Sequence, residues 1–178
     1  QEVYDSDCPA EAKPLFPRPQ SQALRPVPMR VFLAGIMQGS HVDAEMHPQN
    51  YRGRLKELLA KHLPEAQVYD PLADHQQSLD YDEDQGRSVF LHPNQMCGEV
   101  DLLIAFVPEA SMGTAIEMWE AWRNGKIVFT ISPLSHNWTV RFCSHVVFPD
   151  VALFEAEVCS GALRARLAEI RAGERRVQ

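Results

Sequence analysis

Residues 100–119 read VDLLIAFVPEASMGTAIEMW, and this stretch decides the fold. Val100–Val107 is an almost unbroken apolar run of strand length, which predicts a central strand buried on both faces. Pro108 ends it, and Ser111-Met112-Gly113 turns the chain. A helix is predicted over Gly113–Asn124, with Gly125 just past its last turn. A buried strand feeding a helix through a short turn is the repeating unit of a parallel sheet.

The same alternation extends in both directions. Arg30–Gly35 (RVFLAG) is a short apolar run closed by glycine and predicts the first strand. Asn50–His62 places Leu55, Leu58, Leu59 and Leu63 at helical spacing. Ala66–Tyr69 is a brief second strand stopped by Asp70-Pro71, and residues 72–86 are polar and acidic, predicting a long loop. Ser88–Glu99 predicts a helix with Pro93 near its start. Lys126–Ile131 and His145–Phe148 complete five strands, and Asp150–Glu169 predicts one closing amphipathic helix with an arginine-rich last turn. Five strands separated by helices predict an α/β fold: a doubly wound, flavodoxin- or Rossmann-like parallel sheet with helices on both faces. Right-handed crossovers then gather the strand C-termini on one rim, where ligands bind. That rim carries residues 34–40, 70–74, 108–114 and 132–136.

Composition bounds the partners. The chain has 178 residues, of which 45% are hydrophobic, enough for one domain with a substantial core. Its net charge is −7, the wrong sign for polymeric nucleic acid or an anionic membrane surface. A single small phosphate stays within reach, because backbone N–H groups hold it without net positive charge. Cys8, Cys97, Cys143 and Cys159 are widely spaced, which predicts reduced thiols in a cytoplasmic protein and no zinc site. No secretory signal and no apolar run of membrane-spanning length is read from the sequence. Residues 1–28 hold six prolines and few large apolar side chains, so a disordered leader is expected there, with a single domain over 29–178.

Two glycine-containing turns and one carboxylate carry the chemistry. Ser111 and Thr114 are both candidate N-caps for the helix after the central strand, and the N–H groups of its first turn face whatever lies over the rim. Glu117 is expected in that first turn, where the dipole favours an ionised carboxylate suited to nucleophilic attack. The spacing Thr114-x-x-Glu117 also fits a capping box, with Glu117 in a purely structural role. The turn Gly35-Ile36-Met37-Gln38-Gly39-Ser40 follows the first strand, and Gly35, Gln38, Gly39 and Ser40 are candidates for contact with phosphate or sugar oxygens. It is neither a G-x-G-x-x-G nor a G-K-[ST] loop. Asp101 is expected to be structural at the strand entrance, and Trp119 and Trp122 to be core or subunit contacts. His41 and His47 form no H-E-x-x-H pattern, and Ser135-His136 lacks a nucleophile elbow.

Over residues 30–131, the combination of VFLAG, VDLLIAFV, SMGTAIE and the Gly125-Lys126 pair resembles the nucleoside 2-deoxyribosyltransferase superfamily, which includes the nucleoside 5′-monophosphate N-glycosidases. The resemblance implies Glu117 as the nucleophile that attacks the anomeric carbon and forms a glycosyl-enzyme. It implies Ser111 as a phosphate contact, with Gly113 and Thr114 beside it. A neutral donor in place of the transferases' aspartate suits a dianion, which favours a nucleotide over a nucleoside. Two positions depart from the family pattern. Phe32 stands where a tyrosine is usual, and Asn94 stands near the place of an aspartate that acts on the base. Asparagine can bind a base but cannot protonate it, so an acid from Asp80-Tyr81-Asp82-Glu83-Asp84 is the replacement to look for.

The expected function is therefore hydrolysis of the N-glycosidic bond of a (deoxy)nucleoside 5′-monophosphate, releasing base and sugar phosphate. Transfer of deoxyribose between bases and a non-catalytic nucleotide-binding module are the alternatives. No cofactor and no metal is expected. The resemblance also implies a homodimer or higher homo-oligomer.

Overall fold

A computed structural model describes residues 28–37, 46–75 and 77–173. The expected leader, except Pro28, and the candidates Gln38, Gly39 and Ser40 lie outside the described residues. Five strands form the sheet: β1 (Met29–Gly35), β2 (Ala66–Tyr69), β3 (Leu102–Phe106), β4 (Ile127–Ile131) and β5 (Val146–Phe148). All described pairings are parallel and the order is β2-β1-β3-β4-β5. The fold is the doubly wound α/β sheet that the alternation of elements predicts.

Helix α1 (Asn50–His62) connects β1 to β2, and the chain then returns across β1 to build β3. The order thus reverses between β1 and β3, whose C-terminal residues Gly35 and Phe106 are paired partners. A crevice is expected outside the sheet at that reversal, because the flanking connections leave in opposite directions.

Alternate strand residues feed two cores. On one face Val31, Leu33, Leu102, Ile104 and Phe129 pack with Leu55 and Leu59 of α1. The helices α6 (Val151–Cys159) and α7 (Ala162–Arg171) cover the same face through Phe154, Val158, Leu163 and Leu167. On the other face Phe32, Ala34, Leu103, Ala105 and Val128 meet Cys97 of α3 (Glu83–Cys97) and Met118 and Ala121 of α4 (Met112–Arg123). Leu102, Leu103 and Ile104 of β3 are fully buried. Each such side chain contributes roughly 1.5–3 kcal/mol of burial free energy, so the strand that decides the fold also anchors it.

Four local expectations are corrected. Residues 72–86 are not one loop. A short helix α2 (Pro71–Asp74) starts with Pro71 at its first position and Asp70 as its cap, and a 3-10 turn spans Ser78–Asp80. Helix α3 starts at Glu83 rather than Ser88, because Asp82 and Gln85 form a capping box that an acidic run conceals. Pro93 lies inside α3, not near its start. The closing helix is two helices, broken where Gly161 adopts φ 79°, a left-handed conformation that glycine reaches at little cost. Helix α5 (Trp138–Phe142), capped by Asn137, has no counterpart in the predicted elements.

Candidate functional site

At the β1/β3 reversal the structure holds a cleft of about 490 Å³. Gly35, Asn94, Ser111, Gly113, Thr114 and Glu117 all line it, so six of the sequence candidates come together. Met37 and Met46 border the cleft beside the residues not described. Pro71, His75, Ser78 and Tyr81 form its far side, with Val89, Phe90 and Pro93 of α3. None of these lining residues is Lys or Arg.

The start of α4 is built by Ser111. Its backbone is extended, and its hydroxyl accepts from Thr114 N at 3.4 Å and lies 3.0 Å from Thr114 Oγ1. Ser111 O accepts from Ala115 N. The N–H groups of Met112 and Gly113 precede the first intrahelical bond, so they are the first-turn donors that the helix's own ladder does not use. A Cβ added at Gly113 would meet nothing within 4 Å. The protein therefore does not need glycine there for its own packing, and the bare backbone leaves room on the cleft side.

With Ser111 as cap, Glu117 is the sixth residue of α4, in its second turn. This corrects the first-turn placement. It also removes the capping-box role, since Thr114 is the N3 residue and not the cap. The expectation of a readily ionised carboxyl is corrected too. Burial pushes the Glu117 pKa from 4.5 up to about 8, and the Arg52 guanidinium opposes that rise. The dipole weakens beyond the first turn, so it does not compensate the lost hydration.

Arg52 and Tyr51 were not singled out by the sequence. Arg52 is only 2% exposed. Its Nη1 donates to Leu33 O and Asp70 Oδ1, both at 2.9 Å, its Nη2 to Gly35 O at 3.0 Å, and its Nε to Gln49 Oε1 at 2.8 Å. Asp70 also pairs with Lys56 at 2.8 Å. Gln49 Nε2 in turn donates to Ile36 O at 3.0 Å. The end of β1 is thus tied to α1 through a buried cation with a matched anion. Tyr51 Oη donates to Ile36 O at 3.4 Å, and its ring stacks on Phe106 with centroids 4.1 Å apart. A Cβ at Gly35 would fall 2.2 Å from Tyr51 Oη, so glycine is required there by the tyrosine. Burial raises the Tyr51 pKa, Arg52 opposes it and Glu117 adds to it, which places the three groups in one electrostatic neighbourhood.

Near the cleft, His47 Nε2 lies 2.7 Å from Glu109 Oε1. On the far wall, Asn94 Nδ2 donates to Phe90 O at 2.6 Å, which leaves Asn94 Oδ1 a buried acceptor without a partner. An unmade bond of that kind costs about 1–3 kcal/mol, and a donor from water or a ligand would satisfy it.

Other candidates fall elsewhere. Phe32 is fully buried and packs on Tyr69 in the core under α3 and α4, away from the cleft lining. Asp101 accepts from Arg30 N at 2.7 Å at the opposite end of the sheet, the structural role expected. Trp119 and Trp122 stack on each other at 5.3 Å outside the cleft lining, with Trp119 52% exposed. Among residues 80–84 only Tyr81 lines the cleft. Asp82 is committed to capping α3, and Glu83 pairs with Arg87. The described residues contain no cluster of three or more His, Cys, Asp or Glu able to hold a metal ion, and no helix among them is long and apolar enough to cross a membrane.

No family profile matches the chain, and no curated protein matches it. Among solved structures, a 2-deoxyribosyltransferase from the psychrotolerant bacterium Bacillus psychrosaccharolyticus superposes with a TM-score of 0.54 at 17% identity, covering 71% of this chain and 90% of that one. A CMP N-glycosidase from Clostridium botulinum superposes with a TM-score of 0.45 at 22% identity, covering 74% and 98% respectively. A conserved protein from Enterococcus faecalis gives 0.39 at 20% identity over 58% and 62%. The first of these likenesses is one of fold.

Proposed function

We propose that the protein is an enzyme that cleaves the N-glycosidic bond of a (deoxy)nucleoside 5′-monophosphate by hydrolysis, with Glu117 as nucleophile. The observation that carries this reading is the shared cleft: Glu117 and the open start of α4 line one hollow at the strand-order reversal. A carboxylate there stabilises the positive charge that develops at the anomeric carbon and then bonds to it. Ser111, Gly113 and Thr114 would hold the phosphate through first-turn donors and hydroxyls rather than through side-chain cations. Gly35 would lie under the sugar, and Asn94 would accept from an N–H of the base.

The test is base release from a panel of 5′-monophosphates and the matching nucleosides. Wild type should prefer the nucleotide, and Glu117→Ala should lose about 10³-fold or more in kcat/KM. Equal release by both proteins ends the nucleophile assignment. Nucleotide binding in calorimetry without turnover would favour a non-catalytic module.

The fold likeness to a 2-deoxyribosyltransferase favours a second reading, transfer of deoxyribose to an acceptor base. Adding a free base separates the two, since only transfer yields a new nucleoside or nucleotide.

A further inference from the structure

Cleavage of a glycosidic C–N bond places an electron pair on the departing base, and the reaction is fast only when that pair is met by a proton. Asn94 cannot supply it. Asp80 and Asp84 are exposed and outside the cleft lining, as are Asp82 and Glu83 with their helix-end partners. The far wall nevertheless presents a titratable pair. His75 is the residue that ends α2, its N–H donating to Leu72 O, and Tyr81 is the residue that ends the 3-10 turn. His75 Nδ1 lies 3.2 Å from Tyr81 Oη, with the rings edge to face at 6.0 Å and 88°. Both are half-buried and both line the cleft, next to the apolar surface of Val89, Phe90 and Pro93 that suits a planar base.

We propose that His75 is the catalytic residue that protonates the departing base and that Tyr81 is its positioning residue. The inference rests on the N-glycosidase reading above. The tyrosine hydroxyl is the apt partner because it both donates and accepts. With a neutral ring, Tyr81 donates to Nδ1 and the ring proton sits on Nε2. With a charged ring, Nδ1–H donates to Tyr81 Oη and Nε2 again carries a proton. The charged ring is the acid: once Nε2 has given up its proton, Nδ1–H keeps Tyr81 Oη as its acceptor and Nε2 is left as the base that takes a proton back. As a Glu117 oxygen bonds to the anomeric carbon, the C–N electron pair leaves with the base, which takes the proton from His75 Nε2. Water then attacks the same carbon, the ester bond to Glu117 breaks, and the water's proton returns to His75. The sum is nucleotide plus water giving base plus sugar phosphate, with both side chains restored.

The experiment compares two kinds of leaving group. One is the best 5′-monophosphate of the panel. The other is a nucleotide whose base leaves without gaining a proton: nicotinamide mononucleotide or 7-methylguanosine 5′-monophosphate. His75→Gln should lose about 100-fold or more in kcat on the ordinary nucleotide and less than about tenfold on the second kind. Tyr81→Phe should show the same contrast at a smaller size. Imidazole added to His75→Gly should restore release from the ordinary nucleotide, which keeps the test decisive if neither activated substrate is accepted. An unchanged His75→Gln, equal losses on both kinds together, or no rescue by imidazole overturns the assignment. Failure of the underlying reading looks different: wild type then releases no base from any substrate, or Glu117→Ala remains as active as wild type.

Discussion

The two walls of the cleft are built on opposite principles. The wall at the ends of β1 and β3 is backed by a charged network that lies behind its lining residues. Arg52, Asp70 and Lys56 are matched to one another and to the carbonyls of Leu33 and Gly35, with Tyr51 filling the space over Gly35. The wall built from α2, the 3-10 turn and α3 is largely apolar, with few polar groups set into it: Ser78, the His75–Tyr81 pair and Asn94. The first wall sets the Arg52 charge against the burial that raises the Glu117 pKa. The second offers a flat surface and a few directional contacts. Chemistry on a charged centre needs the first, and discrimination among planar bases needs the second.

Removing the cation should break that contrast most severely. Arg52→Met leaves the buried Asp70 with Lys56 for its cation and the Leu72 N–H for its donor, and deprives two strand-end carbonyls of theirs. Losing one partner of a buried pair typically costs about 3–5 kcal/mol, and chemical denaturation of the variant should show a loss of that order. The carboxyl of Glu117 should also become harder to ionise, because the group that opposes its raised pKa is gone. Arg52→Lys separates the two effects. It keeps a charge but not the fork to Leu33 O and Gly35 O, so it should restore the pH profile more than the stability. A stable Arg52→Met with an unmoved profile would mean that the two walls differ less than the contacts suggest.

The fold was legible largely because its strands are short, apolar and punctuated. VDLLIAFV and RVFLAG can hardly be anything but buried strands, and their order follows from the helices between them. Six of the nine residues expected at the site, with Glu117 among them, line the cleft for the same reason, since each sits within a few residues of a strand end or on the helix that follows. Asn94 on α3 is the exception, carried there by the resemblance. Arg52 was less visible because it lies on a helix and reaches the rim only through the fold. A signal was present: Arg52, Leu55 and Leu59 fall on one buried stripe of α1, and a charge within such a stripe has to find a partner. Pro93 and the acidic run before it concealed the length of α3, since both favour a helix start as readily as a helix interior that is already capped elsewhere. The pKa direction of Glu117 was out of reach of spacing altogether, because it depends on burial by residues distant in sequence.

The raised carboxyl makes a prediction with a definite sign. Folded wild type keeps a proton on Glu117 up to about pH 8, whereas the unfolded chain releases it near 4.5. Between those values the native state binds more protons than the unfolded state, so this group lowers stability as pH rises through the window and has no pH effect outside it. Glu117→Gln removes the titration. Comparing the two proteins, the stability gap should open in favour of the glutamine variant by about 1 kcal/mol between pH 6 and 7. On the proposed reading activity runs the other way for this group: the fraction of Glu117 ionised for attack, and with it the Glu117-dependent limb of the kcat/KM profile, should rise with pH up to about 8. Parallel stability curves would show that the carboxyl is hydrated, and that the charged wall does not control it.

The smallest expected effect is at Gly113, and it tests whether the space beside the charged wall belongs to a ligand. The position has ordinary helical surroundings, and a methyl there touches nothing in the protein. Alanine is the better helix former, so Gly113→Ala should leave stability unchanged or raise it by up to about 1 kcal/mol. A phosphate seated on the N–H groups of Met112 and Gly113 would meet that methyl directly, and KM for a nucleotide should rise while KM for the matching nucleoside changes less. Calorimetry on the same variant separates binding from turnover. A KM that rises equally for nucleotide and nucleoside would move the phosphate away from the start of α4. The anion would then be sought at residues 38–40, which carry the remaining polar candidates.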